Sequence, residues 1–168
     1  MERMFSPWRA EYIRQPSGGE GGSARPCIFC AGEAGLADPD SLLLGIYPNS
    51  VAILNRFPYN NGHVMVAPRS HVADLCDLSG EELRELFSLA ALGTRVLRET
   101  YGYEGLNLGM NLGKVAGAGI TEHLHVHLVP RWGGDTNFMT SVNDTRVLPE
   151  SLLETRGRLS PAFRLLRP

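Results

Sequence analysis

The apolar positions of this chain follow two periods. Short apolar or alternating runs bounded by turn residues predict strands. The first covers Leu42 to Tyr47, the second Val51 to Phe57 after Pro48-Asn49-Ser50, and the third His63 to Ala67 after the cluster Pro58 to Gly62. The first two form a hairpin, and Pro68 stops the third. A helical period follows. Ser79 and Glu82 have capping-box spacing. Leu83, Leu86, Phe87, Ala90, Gly93/Thr94 and Leu97 then recur on one stripe to about Thr100, and Gly102 is a natural stop. Strand character returns over Gly105 to Asn111 and His123 to Pro130. Pro149 to Leu159 predicts a C-terminal helix with Pro149 in its first turn. There is no internal repeat. Five strands on short turns, with one long helix between the third and fourth, specify an α+β domain. Its five-stranded sheet is mainly antiparallel and the long helix covers one face.

Residues 1–14 hold Phe5, Trp8, Tyr12 and Ile13 among charges and read as an arm that docks aromatics. Ser17 to Ser23 is Gly-rich and flexible. Residues 1–25 are therefore an arm and linker, and 26–168 a single domain with a C-terminal extension. The chain has 168 residues, 43% of them hydrophobic, enough for one domain with a real core. A net charge of -2 and a pI of about 6.2 lack the basic footprint of a nucleic-acid binder. All Lys and Arg residues except Lys114 are Arg, which we read as genome composition. Met1 to Arg14 has no apolar h-region, and no stretch is long enough to span a membrane. Three cysteines with one close pair argue against a disulfide scaffold. The expected location is cytoplasmic. Cys76 is expected to be a small, at least half-buried side chain.

The candidate chemistry lies in the histidines. Three of the five form the run His123-Leu124-His125-Val126-His127. On a strand this run lines up three imidazoles on one face and turns Leu124, Val126 and Leu128 toward a core. The residues leave three roles open: a three-histidine metal centre, nucleophilic catalysis by one imidazole with help from its neighbours, or exposed strand histidines without a task. The preceding loop is rich in small residues, Gly113, Ala116, Gly117, Ala118 and Gly119, and offers backbone N–H groups to an anion. It is no P-loop, since it lacks Gly-Lys-Ser/Thr and leads into a strand. Asn107 and Asn111 share a strand face and are candidates for phosphate or ribose contacts. Cys27-Ile28-Phe29-Cys30 has metal-ligand spacing, with His71 as a further candidate ligand; two reduced thiols without metal are the alternative.

The run His123-Leu124-His125-Val126-His127-Leu128-Val129 resembles the signature of the histidine triad family. Val51 to Arg56, Gly62-His63-Val64-Met65-Val66-Ala67-Pro68 and Gly117 to Ile120 extend the resemblance over roughly residues 26 to 135. Ala116 to Ile120, Pro130 to Asp135, Asn137 to Met139, Pro7-Trp8-Arg9 and Thr145 to Pro149 are most similar to the branch acting on diadenosine polyphosphates, including bacterial diadenosine tetraphosphate phosphorylases. Where many relatives have Gln-Thr or Gln-Ser after the Ala-Gly pair, this chain has Ala118-Gly119. A phosphate contact there must come from backbone.

The resemblance implies that His125 attacks the α-phosphorus to give a nucleotidyl-histidine, which phosphate or water then resolves. It implies that His127 contacts phosphate and that His123 stands on the leaving-group side or gives structural support. Asn111 and backbone near Gly117 and Gly119 would stabilise equatorial oxygens. Asn55 and His63 would lie near the nucleoside, and Trp132 would either contact phosphate or pack. It implies a structural zinc held by Cys27, Cys30, His71 and His123, no organic cofactor, and a homodimer. Partners would be a nucleotide or dinucleoside polyphosphate and inorganic phosphate. A nucleotide-binding module, a phosphoramidase-like hydrolase and a three-histidine metal hydrolase are the alternatives.

Overall fold

The computed structural model describes residues 27–30, 38, 41–135 and 150–165. The arm and linker of residues 1–25, Asn137 to Met139 and Pro149 lie outside them. The strands are β1 (Leu43–Ile46), β2 (Ser50–Leu54), β3 (Val64–Pro68), β4 (Gly105–Met110) and β5 (Val126–Arg131); the helices are α1 (Gly80–Tyr101) and α2 (Leu152–Leu165). One sheet runs in the order β1-β2-β3-β5-β4, antiparallel at every pairing. The α+β architecture is the one expected.

Every residue of β2 and β3 is buried, because the sheet is covered on both faces and neither can be polar. Ala52, Leu54, Val64, Val66, Val126 and Leu128 share a core with α1 and α2. Val51, Ile53, Met65 and Ala67 pack on the other face with Phe29. Met65 stands opposite His127 in the β3–β5 register, so the triad histidines belong to this second face.

The long helix forms as its caps predict. Ser79 and Glu82 make both bonds of the capping box, and Gly102 ends the helix in the left-handed region at φ 54°. At Gly93 a Cβ would lie 2.6 Å from Leu128 Cδ1. The helix thus rests directly on β5, which fixes the height of the triad strand against the core. The apolar stripe needs one correction: Leu83 and Phe87 are exposed, and Leu89, Leu92 and Val96 are buried in their place. Cys76 is also exposed, on a 3₁₀ turn whose backbone is capped by Asp74.

The C-terminal helix outruns its predicted end at Leu159 and continues through Pro161. Phe163 is buried in the main core and its carbonyl accepts from the Tyr47 hydroxyl at 2.5 Å. That tertiary anchoring outweighs the helix-breaking tendency of proline. No helix among the described residues is long and apolar enough to cross a membrane.

Candidate functional site

The triad is not wholly part of the β5 ladder. β3 pairs with β5 only over Val64–Val66 and Val126–Leu128. Upstream, Leu124 N–H donates instead to Val72 O at 2.7 Å. His123 and His125 therefore sit just before the strand, held by loop contacts, while alternation persists: Leu124 faces the main core and the imidazoles face away from it.

The tautomers of His125, His123 and His63 are set by backbone groups, and that of His127 by His63. His125 Nδ1 lies 2.8 Å from His123 O. A carbonyl only accepts, so Nδ1 carries the proton and Nε2 keeps its lone pair. The ring is 4% exposed; burial holds it below the ordinary histidine range, opposed by that carbonyl bond. A neutral imidazole with a free Nε2 lone pair is the nucleophilic form. Phe29 stacks on it with centroids 5.0 Å apart at 27°, and His127 meets it edge-on at 4.9 Å.

His123 has the opposite tautomer. Its Nε2 lies 2.8 Å from Pro68 O, so Nε2 carries the proton and Nδ1 offers a lone pair. That Nδ1 is 3.4 Å from Cys27 Sγ, 3.6 Å from Cys30 Sγ and 3.2 Å from His71 Nδ1. Cys30 Sγ is 3.3 Å from His71 Nδ1. All four ligand atoms lie within 4.8 Å of one another. Tetrahedral zinc bonds to N and S would set ligand atoms about 3.3–3.8 Å apart, close to what is seen. Two thiols and two imidazoles are also the donor set zinc prefers. The Pro68 carbonyl is the kind of outer partner that orients a metal-bound histidine. The donor set fits zinc.

His63 is 1% exposed. Its Nδ1 accepts from Tyr59 N–H at 3.1 Å, so its Nε2–H donates to His127 Nδ1 at 2.9 Å. His127 in turn carries its proton on Nε2. Burial first, and then the neighbouring His127 and His125, push His63 down to about 3. Asn55 Nδ2 stands 3.4 Å from His63 Nδ1, and Phe57 N–H fixes the amide by donating to Asn55 Oδ1. The structure thus seats Asn55 and His63 behind His127.

The loop candidates divide. Asn111 Nδ2 reaches Gly117 O at 3.5 Å. Gly117 N–H and Ala118 N–H bond within the loop, to Lys114 O and Gly113 O, so those two amides are turned to the loop's own structure; Gly119 N–H takes no part in these bonds. Asn107 shares the face of His127 through the β4–β5 register, and its Oδ1 accepts from Arg131 Nη1 at 3.1 Å. Trp132 follows the far end of β5, about 20 Å from His125 at the rise of a strand. Its ring packs edge-on against Tyr101 at 6.4 Å, which is the packing alternative. The three triad rings do not converge on one point, and among the described residues the Cys27, Cys30, His71, His123 group is the one cluster with metal-binding geometry. Phe29, Tyr59 and the Pro68 carbonyl were missed as site residues. Of these, Phe29 alone carried a signal, its place between the two cysteines.

The HIT domain model matches residues 38–134. The chain is 37% identical over 166 residues to an AP-4-A phosphorylase of Mycobacterium tuberculosis, covering 95% of this chain and 83% of that protein. An uncharacterized HIT-like protein of Methanocaldococcus jannaschii is 33% identical over 78% of this chain and 99% of its own. The crystal structure of a Zn-bound histidine triad family protein from Mycobacterium smegmatis superposes with a TM-score of 0.63 at 28% identity, covering 82% of this chain and 93% of that one. With the triad at its centre and this match over most of its length, the chain belongs to the HIT family.

Proposed function

We propose that the protein is a nucleotide-processing enzyme that cleaves dinucleoside polyphosphates, with diadenosine tetraphosphate as the foremost substrate and phosphate as the favoured acceptor. The observation that carries this reading is the His125 tautomer: Nδ1–H tied to the His123 carbonyl, Nε2 left as a nucleophile. The similarity to an AP-4-A phosphorylase supports the substrate class and the acceptor.

In the first half-reaction the Nε2 lone pair bonds the α-phosphorus and the bridging P–O bond breaks. The oxygen leaves with its electron pair as a nucleoside polyphosphate anion, stabilised by the His127 Nε2–H. His125 becomes a cation whose Nδ1–H rests on the His123 carbonyl. In the second half-reaction an acceptor oxygen bonds phosphorus, the N–P bond breaks, and His125 returns neutral. An anionic phosphate oxygen attacks without a base, whereas water must lose a proton. Asn111 and the Gly119 amide are the groups we assign to the equatorial oxygens, the contacts that matter most in this class of transfer. Cys27, Cys30, His71 and His123 would hold a zinc ion, whose chemistry when bound is structural: it ties the Cys27–Cys30 turn to the sheet.

We also read the protein as a homodimer. β4 is an edge strand whose Leu108 is 50% exposed. Leu83 and Phe87 continue the α1 stripe of Thr94 and Arg98, and these two contact Tyr103, just ahead of β4. An apolar edge of this kind is a ready pairing surface.

Product analysis of diadenosine tetraphosphate cleavage tests the proposal. ADP plus ATP formed only when inorganic phosphate is present is the expected result. AMP plus ATP without phosphate would make the enzyme a hydrolase, and no cleavage of any dinucleotide would reduce it to a nucleotide-binding module.

A further inference from the structure

We propose that Phe29 is a positioning residue for His125: carried on the turn between the two cysteines, its ring sets the plane, and so the direction of attack, of the nucleophile. The inference rests on the reading of His125 as the nucleophile.

One hydrogen bond defines which nitrogen of His125 is protonated, but it leaves the imidazole free to rotate about that bond. The Nε2 lone pair lies in the ring plane, so such a rotation swings the line along which phosphorus is approached. Two contacts oppose it. His127 meets the ring edge-on at 4.9 Å and 73°. Phe29 lies over its face, centroids 5.0 Å apart at 27°, within the range of offset aromatic pairs. Phe29 also touches His123, at 5.0 Å and 47°, and so spans the two histidines joined by the carbonyl bond.

Phe29 is well placed to act as a stop. It is 1% exposed and is wedged into the apolar cluster of Leu43, Val51, Ile53, Met65 and Ala67 on the triad face. Its backbone belongs to the tight turn closed by Cys30 N–H and Cys27 O at 3.1 Å. The sulfurs on either side of it face His123 and His71. The cysteine turn therefore reaches the nucleophile twice, through the carbonyl of His123 and through the ring of Phe29.

The test uses the full chain with Phe29→Leu and Phe29→Tyr, read by zinc content, thermal melting, steady-state kinetics on diadenosine tetraphosphate, and the side-chain NMR resonances of the histidines without substrate. The leucine variant keeps the apolar fill and removes the ring. It should retain zinc and KM within about twofold and lose roughly 10- to 100-fold in kcat, the scale of a small misalignment. The His125 Cε1–H resonance should move as the ring current disappears, with that of His63 unchanged. The tyrosine variant keeps the ring and should recover most of the kcat. A leucine variant with wild-type kcat, a loss confined to KM, or a loss cured by added zinc would overturn the proposal. So would an unmoved His125 resonance in the leucine variant, or, where only the tyrosine variant folds, a kcat as low as that expected of leucine. A wild-type protein that forms no nucleotidyl-histidine would instead overturn the transfer reading, since the NMR measurement requires no turnover.

Discussion

The two ends of the histidine row differ in what stands behind them. At one end His123 turns an unprotonated Nδ1 toward two sulfurs and His71. At the other, His127 Nδ1 accepts a hydrogen bond from His63 Nε2–H and carries its own proton on Nε2. Between them His125 has the reverse tautomer of both neighbours. A short run with three identical side chains thus holds them in different protonation geometries, which suit the proposed roles of metal ligand, nucleophile and leaving-group donor. The residue type supplies imidazole; the carbonyls and the partner histidine decide what each imidazole does.

The largest effect that would break this division comes from the middle. His125→Ala should lower kcat on the order of 10⁴-fold or more while nucleotide binding survives, measured by turnover and by equilibrium titration of a mononucleotide. Turnover within tenfold of wild type would remove His125 from its role. At the cysteine end the expected effect is on the scaffold. Cys27→Ser should lose the zinc and on the order of 2 kcal/mol of stability, a Tm drop of roughly 4–8 °C for a chain of this size, read by metal analysis and calorimetry. A variant that keeps both metal and Tm would leave the cysteines as plain thiols.

The smallest effect sharpens the other end. His63 takes up its proton near 3 when folded, against 6.5 when unfolded. The unfolded chain therefore binds more protons between these values, so the stability His63 contributes is complete above 6.5 and is lost as pH falls toward 3. Between pH 7 and pH 5 that amounts to about 2 kcal/mol. His125 is shifted the same way and adds to the slope. In urea titrations at the two pH values, His63→Asn should lose less stability than wild type by about that amount. An identical slope would mean that His63 is not held neutral by its burial against His127.

Much of this was legible in the sequence because the local signals agree. The capping box, the Gly102 stop, the strand runs and the triad spacing each name one structure. The missed features depend on distant parts of the chain. Leu83 and Phe87 satisfy a helical period, yet the packed side of α1 is defined by β3, β5 and α2, which bury Leu89, Leu92 and Val96 instead. Pro161 signals a helix end, and only the seat of Phe163 beside Tyr47 overrides it. In the site, side-chain identity named the four residues that the structure brings together as a candidate metal cluster and the proposed nucleophile. The Pro68 carbonyl and the Tyr59 amide are backbone facts that no residue spacing encodes, and Phe29 is marked only by its place between the two cysteines. Trp132 shows the converse: adjacent in sequence to the triad strand, it is carried a strand's length away from the chemistry.

The position of β5 has a consequence for how activity is acquired. β1, β2 and β3 form a local meander and β4 with β5 a second local pair; α1 links them, and only the β3–β5 ladder joins the two into one sheet. Cys27, Cys30, His63 and His71 come from the first half, and the triad from the second. Such long-range pairings close slowly, because the intervening chain must first be ordered. Neither half alone holds the whole ligand set or a paired His127. A nascent or partly unfolded chain is therefore inert until that seam closes, and turnover itself reports completed folding.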